Sequence, residues 1–161
     1  MTSIPLGTAV RVVVPATTAN LGPGFDTLGM ALTIYDQVDA EVVKGSGVTV
    51  EVHGVGAGDV PTDETNLVAS SLRHALTAWG VDLPGLKLVA TNRIPHGRGV
   101  GSSGAAIVAG VLAAKGLVEG LVEVSQAELL RLATELEGHP DNIAPSLFGG
   151  LTIAWMTDEG P

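Results

Sequence analysis

The chain has 161 residues, of which 45% are hydrophobic and 16% charged, a balance that predicts a folded domain with a core and excludes a disordered chain. The net charge is −9 and the eight Lys and Arg residues form no stripe, which argues against a nucleic-acid partner because phosphate backbones recruit basic side chains. The chain has no cysteine, which excludes a disulfide framework, a thiolate nucleophile and cysteine-ligated zinc.

The first predicted element is a strand over Val10–Val14, which is β-branched at four of its positions and which we expect Pro15 to end. The stretch 15–26 is predicted to be a stiff loop, because Gly-Pro-Gly lies near its centre. Asn20 and Asp26 flank this turn. Their side chains either point polar atoms at a ligand or satisfy their own turn, and the sequence leaves both readings open.

The middle of the chain predicts a hairpin, a helix and a further strand. Tyr35–Val43 and Val48–Val52 are two strand-like runs joined by a glycine-containing turn, which favours a β-hairpin. Asn66–Trp79 has a helical apolar pattern, with Asn66 as the cap and a glycine as the stop. Leu86–Thr91 is predicted to be a strand. No repeat or linker divides the chain, so we expect one domain over residues 1–161.

A glycine-rich stretch over Pro95–Ala106 leads into an apolar helix predicted to run to about Lys115. Dense glycine lets the backbone turn tightly and approach a ligand, and a helix N-terminus favours negative charge. The stretch therefore indicates a phosphate-binding loop, with a plain strand-to-helix turn as the alternative. The apolar run Gly99–Ala114 is too short and too rich in Gly and Ser to span a bilayer, so we expect no membrane partner. A cytoplasmic location is expected because it fits the lack of cysteine.

Three familiar glycine motifs were compared with this stretch, and only one of them matches its residues. A Walker loop needs a lysine that is missing here, and the hydrolase elbow needs a serine with glycines at a spacing that is also missing. The dinucleotide fingerprint does match over Gly99–Gly104, and Glu123 lies about 20 residues further on. However, the loop does not follow its strand closely and Glu123 lacks a clear strand to carry it. A dinucleotide-binding module therefore remains the second interpretation.

The last third of the chain begins with a helix that Ser125 caps and that runs to about Glu137. Four residues are predicted to form its core face, namely Leu129, Leu132, Ala133 and Leu136. Glu137 falls on the inner side, where a carboxylate needs a metal ion, a salt bridge or access to solvent. His139 follows and is either a titrating base or a cap of the helix carbonyls. Leu151–Trp155 is predicted to be the last strand.

Three motifs resemble those of one family of small-molecule kinases. The stretch 95–105, Pro-His-Gly-Arg-Gly-Val-Gly-Ser-Ser-Gly-Ala, is similar to the phosphate loop of the GHMP kinases. Within that superfamily, the stretch 15–26 resembles the first signature of the homoserine kinase family, and 137–145 resembles its third. The motifs occur in the family's order and span nearly the whole chain, so together they are far more specific than any one alone.

This resemblance implies a fold and an activity. The fold would be α+β in two layers, a mixed sheet packed with helices, like domain 2 of ribosomal protein S5 and the N-terminal domain of GHMP kinases. The activity would be transfer of the ATP γ-phosphate to the side-chain hydroxyl of L-homoserine, in threonine biosynthesis, with ATP and Mg²⁺ as cofactors. The partners would be these small molecules, and the resemblance is compatible with a homodimer. Another GHMP kinase, or a non-catalytic nucleotide-binding module, is the alternative.

The resemblance also implies roles for individual residues. Phosphate binding would fall to the loop, that is to Pro95, Gly97, Arg98, Gly99, Val100, Gly101, Ser102, Ser103, Gly104 and Ala105. One or both of Ser102 and Ser103 would hold Mg²⁺ with Glu137. The amino-acid site would be lined by Asn20, Asp26, His139 and Asn142, with Asp141 and Asn142 as catalytic residues. An oriented hydroxyl that attacks directly is an equal alternative to Asp141 as general base.

The sequence departs from the family's pattern in three respects. Val100 replaces the usual Leu, and Gly104 replaces a commoner Ala or Ser, and both changes are conservative in size. The family has a second, C-terminal domain that completes the nucleotide and substrate sites. We expect that domain to be absent from this chain, with a consequence for its isolated activity.

Overall fold

The computed structural model describes residues 2–161 as a five-stranded mixed sheet with four helices. The strands are β1 (Ala9–Leu21), β2 (Gly24–Val43), β3 (Val48–Gly54), β4 (Gly85–Asn92) and β5 (Leu151–Ile153). The helices are α1 (Leu67–Ala78), α2 (Ser102–Leu117), α3 (Gln126–Glu137) and α4 (Ile143–Phe148). None of the helices in this described part is long and apolar enough to cross a bilayer. The expected α+β fold is confirmed.

The order of the sheet is β1-β2-β4-β3, with β5 paired to the other end of the long strand β2. All neighbours are antiparallel except β3 and β4, which are parallel and are connected through α1. The helices cover one face of the sheet. The core between the layers consists of buried aliphatic side chains, among them Val14, Val38, Leu72, Leu76, Leu86, Leu88, Ile107, Val111, Leu129 and Leu132.

The prediction that Pro15 ends the first strand and opens a loop was wrong. β1 continues through Pro15 to Leu21, and the stretch 15–26 forms a β-hairpin whose turn lies at Gly22 and Pro23. Proline is tolerated because β1 lies at the edge of the sheet, where one set of backbone N–H groups needs no ladder partner.

The predicted hairpin between Tyr35–Val43 and Val48–Val52 was also wrong. β4 lies between these two strands, so that Leu86 is opposite Val42 on one side and Val48 on the other. The entry of β4 depends on Gly85, since a Cβ there would lie 2.8 Å from the carbonyl oxygen of Val43. The short turn between the two runs cannot reveal the inserted strand, because that strand comes from about 40 residues further along the chain.

α1, α2, α3, β4 and β5 agree with the sequence at their centres and differ at their ends, and α4 was not predicted. Asn66 caps α1 by accepting a hydrogen bond from the Val68 amide, and Ser125 caps α3 in the same way, as predicted. α2 begins at Ser102, three residues before the apolar run. Leu136 is 37% exposed, so its assignment to the core was wrong. β5 is two residues shorter than predicted.

Candidate functional site: a glycine loop, a serine–carboxylate pair and an adjoining cavity

The glycine loop connects β4 to α2. Gly97, Gly99 and Gly101 have φ values of +64°, +70° and +67°, a left-handed region that glycine enters without strain. Successive N–H groups in turns of this kind form concave sites for anions. The backbone conformation therefore favours the predicted phosphate loop over its alternative, a plain strand-to-helix turn.

The N-terminus of α2 directly follows this candidate anion site. Gly101 is its N-cap residue, and no side chain caps the first turn, which also contains no acidic residue. The first N–H groups of a helix have no partner within it, and the helix dipole places partial positive charge there. A phosphate group is the kind of ligand that satisfies both conditions.

Thr17 links β1 to the loop and to the segment before α4. Its amide donates to the carbonyl oxygen of Val100 over 3.1 Å, and its hydroxyl donates to Asn142 Oδ1 over 2.7 Å. Gly101 lies against this pair: a Cβ there would be 2.0 Å from Thr17 Oγ1 and 3.0 Å from Asn142 Oδ1. Three distant segments thus meet at one point. Thr17 is fully buried and was not among the predicted site residues, although it lies inside the stretch 15–26.

A serine–carboxylate pair lies beside the helix N-terminus. The hydroxyl of Ser103 donates to Glu137 Oε2 over 2.9 Å. Glu137 is half-buried at the end of α3, on the side predicted from the helical periodicity. Hydroxyl and carboxylate oxygens are ligands that Mg²⁺ accepts, and Mg²⁺ usually completes its shell with water and substrate phosphates. The donor chemistry fits this ion, although residues 2–161 contain no cluster of three or more acidic or histidine ligands.

His139, Asp141 and Asn142 form a compact group after α3. Asp141 is fully buried, and its Oδ1 accepts the Asn142 amide over 2.8 Å and contacts Nδ1 of His139. The other oxygen, Oδ2, is buried without a hydrogen-bond partner among the described residues. Asp141 therefore orients the exposed His139 ring, and its own oxygens lie below the surface. Its backbone carbonyl packs against Gly29 of β2, where a Cβ would lie only 2.0 Å away.

Asn20 and Asp26 face each other across the tip of the β1–β2 hairpin. Both have left-handed backbones, with φ of 57° and 53°, and Asn20 Oδ1 accepts the Asp26 amide over 2.7 Å. The structure therefore uses the Asn20 acceptor within the turn, while the Asp26 side chain is exposed. The base of the hairpin, at Thr17 and Gly29, is the part that touches the loop and Asp141.

A cavity of about 340 Å³ adjoins the loop. Its polar lining comes from Asp36, Asn66, Asn92, His96, Ser102 and Ser103. Thr65 adds a further polar group, and valine, leucine and alanine side chains of β2, β4, α1 and α2 supply most of the remaining wall, with Val60 and Pro61 from the loop before α1. Pockets of this size with apolar walls and few polar groups are typical of small-molecule sites. The sequence did not reveal the cavity, because its residues come from six separate segments and match no short motif.

Asp36 is the buried charge of this cavity. Its Oδ1 accepts the amides of Arg93 and Ile94, over 2.6 and 2.9 Å, at the point where β4 passes into the loop. Burial raises the pKa of the Asp36 carboxyl above its ordinary value, and the two amide hydrogen bonds and the nearby His96 partly offset that effect.

The fold and the site together define a class: a two-layer α+β domain with a glycine loop and a helix N-terminus beside a cavity. The dinucleotide interpretation loses its support here, because that fingerprint belongs to a parallel βαβ unit. In this structure the strand after α2 is β5, which pairs antiparallel with β2. Glu123 lies instead in a groove beside β1.

Comparison with known proteins identifies the family. The family described as GHMP kinases N terminal domain matches residues 66–150, which is more than half of the chain. The chain therefore belongs to the GHMP kinase N-terminal domain family. This agrees with the resemblance noted in the phosphate loop.

Individual relatives are similar along almost the whole chain. The homoserine kinase of Clavibacter michiganensis subsp. michiganensis is 62% identical over 159 residues, which cover 99% of this chain and 50% of that protein. The homoserine kinase of Leifsonia xyli subsp. xyli is 61% identical, over 96% of this chain and 48% of that protein. A crystal structure of homoserine kinase from Cytophaga hutchinsonii superposes with a TM-score of 0.83 at 34% identity, covering 98% of this chain and 51% of the other. The chain thus spans about half the length of the relatives it matches.

Proposed function

We propose that this chain is the N-terminal, ATP-binding half of a homoserine kinase. The observation that carries the proposal is the 62% identity to a homoserine kinase across a chain in which the glycine loop, Glu137 and Asn142 converge. The reaction would transfer the ATP γ-phosphate to the side-chain hydroxyl of L-homoserine and give O-phospho-L-homoserine, a step of threonine biosynthesis.

In this proposal the triphosphate lies on the loop. Phosphate oxygens would be bound by backbone amides, namely those of Gly97, Gly99, Gly101 and the first turn of α2. Backbone amides are needed because this acidic protein has few basic side chains. Ser103 and Glu137 would hold Mg²⁺, with Ser102 next to them. When bound, that ion would neutralise phosphate charge. The adjoining cavity, whose floor includes Ser102 and Ser103, would hold the nucleoside.

The amino acid would lie on the other side of the loop. Asp26 offers an exposed carboxylate for its ammonium group, and His139 and Asn142 would line the pocket. The attacking hydroxyl oxygen forms the new bond to γ-phosphorus as the bond to the ADP oxygen breaks, and this step depends mainly on positioning. Asn142 is fixed by Thr17, and Asp141 orients His139, so both can keep the acceptor aligned. A proton acceptor among these residues stays a prediction.

The relatives' second half would complete the site. A cluster of exposed apolar side chains supports this, since large apolar patches are rare on free surfaces. The cluster consists of Phe148, Leu151, Ile153, Trp155 and Met156, each 46–65% exposed. Three of the five, Phe148, Ile153 and Trp155, line a groove of about 480 Å³ beside β5. We propose that the C-terminal half of the relatives packs here, which would make residues 1–161 one domain of two.

The cytoplasmic location, a homodimer, and the lack of nucleic-acid and membrane partners stay predictions. The acidic charge and the absence of a basic stripe support the predicted lack of a nucleic-acid partner.

The substrate is tested with a fusion of this chain to the unmatched half of the Clavibacter protein. Phosphorus NMR should show a new phosphomonoester when the fusion receives Mg-ATP and L-homoserine. ADP release with L-serine or L-threonine should be much slower than with L-homoserine. The intact Clavibacter protein is the positive control. A fusion that binds Mg-ATP but is not stimulated by L-homoserine above the other hydroxy amino acids would contradict the proposal.

A further inference from the structure

Asp36 is a carboxylate that the motifs do not explain. It lies in the middle of β2, is only 7% exposed, and no lysine or arginine side chain of the described chain bonds to it. His96 and Arg93 lie near enough to favour its charge without bonding to it through their side chains, and a buried carboxylate stays costly unless hydrogen bonds satisfy it. Two backbone amides bond to Oδ1, so this oxygen is satisfied.

The second oxygen of Asp36 has a different environment. Oδ2 accepts no hydrogen bond from residues 2–161, and the side chain lines the cavity beside the loop. Most of the wall around it is apolar, for example Val38, Ala90 and Ala109. Oδ2 is therefore an unused acceptor on the wall of the cavity, where a ligand's hydrogen-bond donor can reach it and where His96 is the charged neighbour.

We propose that Asp36 couples the two parts of the nucleotide site. Through Oδ1 it holds Arg93 and Ile94 at the start of the glycine loop, and through Oδ2 it binds a hydrogen-bond donor of the nucleoside. This inference rests on the nucleotide binding proposed above. A ribose hydroxyl or the exocyclic amino group of the base supplies the same chemistry, a neutral donor facing a carboxylate.

Two substitutions separate these roles. Asp36→Asn keeps an acceptor for the two amides but can present an N–H group where the nucleoside donor would bind. Asp36→Ala removes both interactions. Asp39→Asn is the matched control, since Asp39 lies on the same strand but on the opposite face, where it pairs with Arg11. Calorimetry measures the binding of Mg-ATP and of magnesium tripolyphosphate, which has no nucleoside.

The expected pattern is specific. Asp36→Asn should weaken Mg-ATP binding by about tenfold or more, because a hydrogen bond to a charged group is replaced by two facing donors. It should leave tripolyphosphate binding within about twofold, which also shows that the variant folds. Asp36→Ala should weaken both ligands, and Asp39→Asn neither. With the wild type, 2′-deoxy-ATP binds less tightly if the donor is the ribose hydroxyl, and ITP binds less tightly if it is the base amino group.

Each contrary result has one meaning. Wild-type affinity of Asp36→Asn for Mg-ATP refutes the nucleoside contact. Wild-type affinity of Asp36→Ala for tripolyphosphate refutes the support of the loop. A wild-type protein that binds tripolyphosphate and ATP equally well keeps the phosphate site but overturns this inference. If the wild-type chain fused to the unmatched half of the Clavibacter protein binds neither ligand, the proposed function is overturned and the inference with it.

Discussion

Replacing Gly101 by alanine should damage both the stability and the phosphate site of this protein. The new side chain would have to adopt a φ of +67°, which costs an L-residue about 1–2 kcal/mol. Its Cβ would also lie 2.0 Å from Thr17 Oγ1, so the hydrogen bond between Thr17 and Asn142 would have to break or shift. Loss of a buried hydrogen bond adds about 1–3 kcal/mol. The free energy of unfolding should therefore fall by about 2–5 kcal/mol.

Gly99→Ala is the matched control for this prediction. Gly99 has nearly the same φ, +70°, but a Cβ there would meet nothing within 4 Å. It should cost only the backbone strain, about 1–2 kcal/mol. Urea denaturation, followed by circular dichroism, measures both variants. The reasoning is refuted if Gly101→Ala is no less stable than Gly99→Ala, because the contact with Thr17 would then carry no energy.

Three further predictions follow from the site and the cap. Glu137→Gln should raise the Mg²⁺ concentration needed for half-maximal ATP binding by about tenfold or more, while Glu135→Gln, outside the site, should leave it unchanged in the same calorimetric titration. Asn66→Ala should lower the free energy of unfolding by about 1–2 kcal/mol, because the cap of α1 and the bond to the Pro61 carbonyl are both lost. Asn66→Asp should recover only the part that belongs to the cap in urea denaturation, because a carboxylate accepts the Val68 amide but cannot donate to the Pro61 carbonyl. Because burial raises the pKa of Asp36, the folded state binds its proton more tightly than the unfolded state, so the stability of the wild type relative to Asp36→Asn should fall as the pH rises from the ordinary value of 3.8 through the raised folded pKa. Urea midpoints at a series of pH values measure this, and a relative stability that is constant or rises would contradict the sign.

Local patterns predicted α1, α2 and α3 well because each of these helices carries its own signals, whereas the short α4 was not predicted. The cap at Asn66, the cap at Ser125 and the glycine stop at Gly138 are all contained within a few residues, and the structure shows each of them. The inner position of Glu137 followed from helical periodicity in the same way. The prediction that Leu136 is buried was wrong because helical periodicity gives the face of a residue but not whether neighbouring elements cover the last turn of the helix.

The sheet was harder to predict because its pairing depends on distant residues. β4 inserts between β2 and β3, and only long-range pairings such as that of Leu86 with Val42 and Val48 reveal it. The strand continues through Pro15 because β1 lies at the sheet edge, and the residues around a proline do not indicate whether its strand is at the edge. Thr17 and Asp36 were missed for a similar reason. Each acts through partners about 60 to 125 residues away, so no short motif contains the interaction.

The most direct test of the central claim is to observe the amides of the glycine loop while phosphate binds. In ¹⁵N-labelled protein, Mg-ATP and magnesium tripolyphosphate should both shift the amide signals of Gly97, Gly99, Gly101 and Ser103 more than those of the rest of the chain. Mg-ATP alone should add shifts around the cavity, at Asn66 and His96. Binding that leaves the loop amides unmoved, or no saturable binding of either ligand, would contradict the assignment of this loop as the phosphate site.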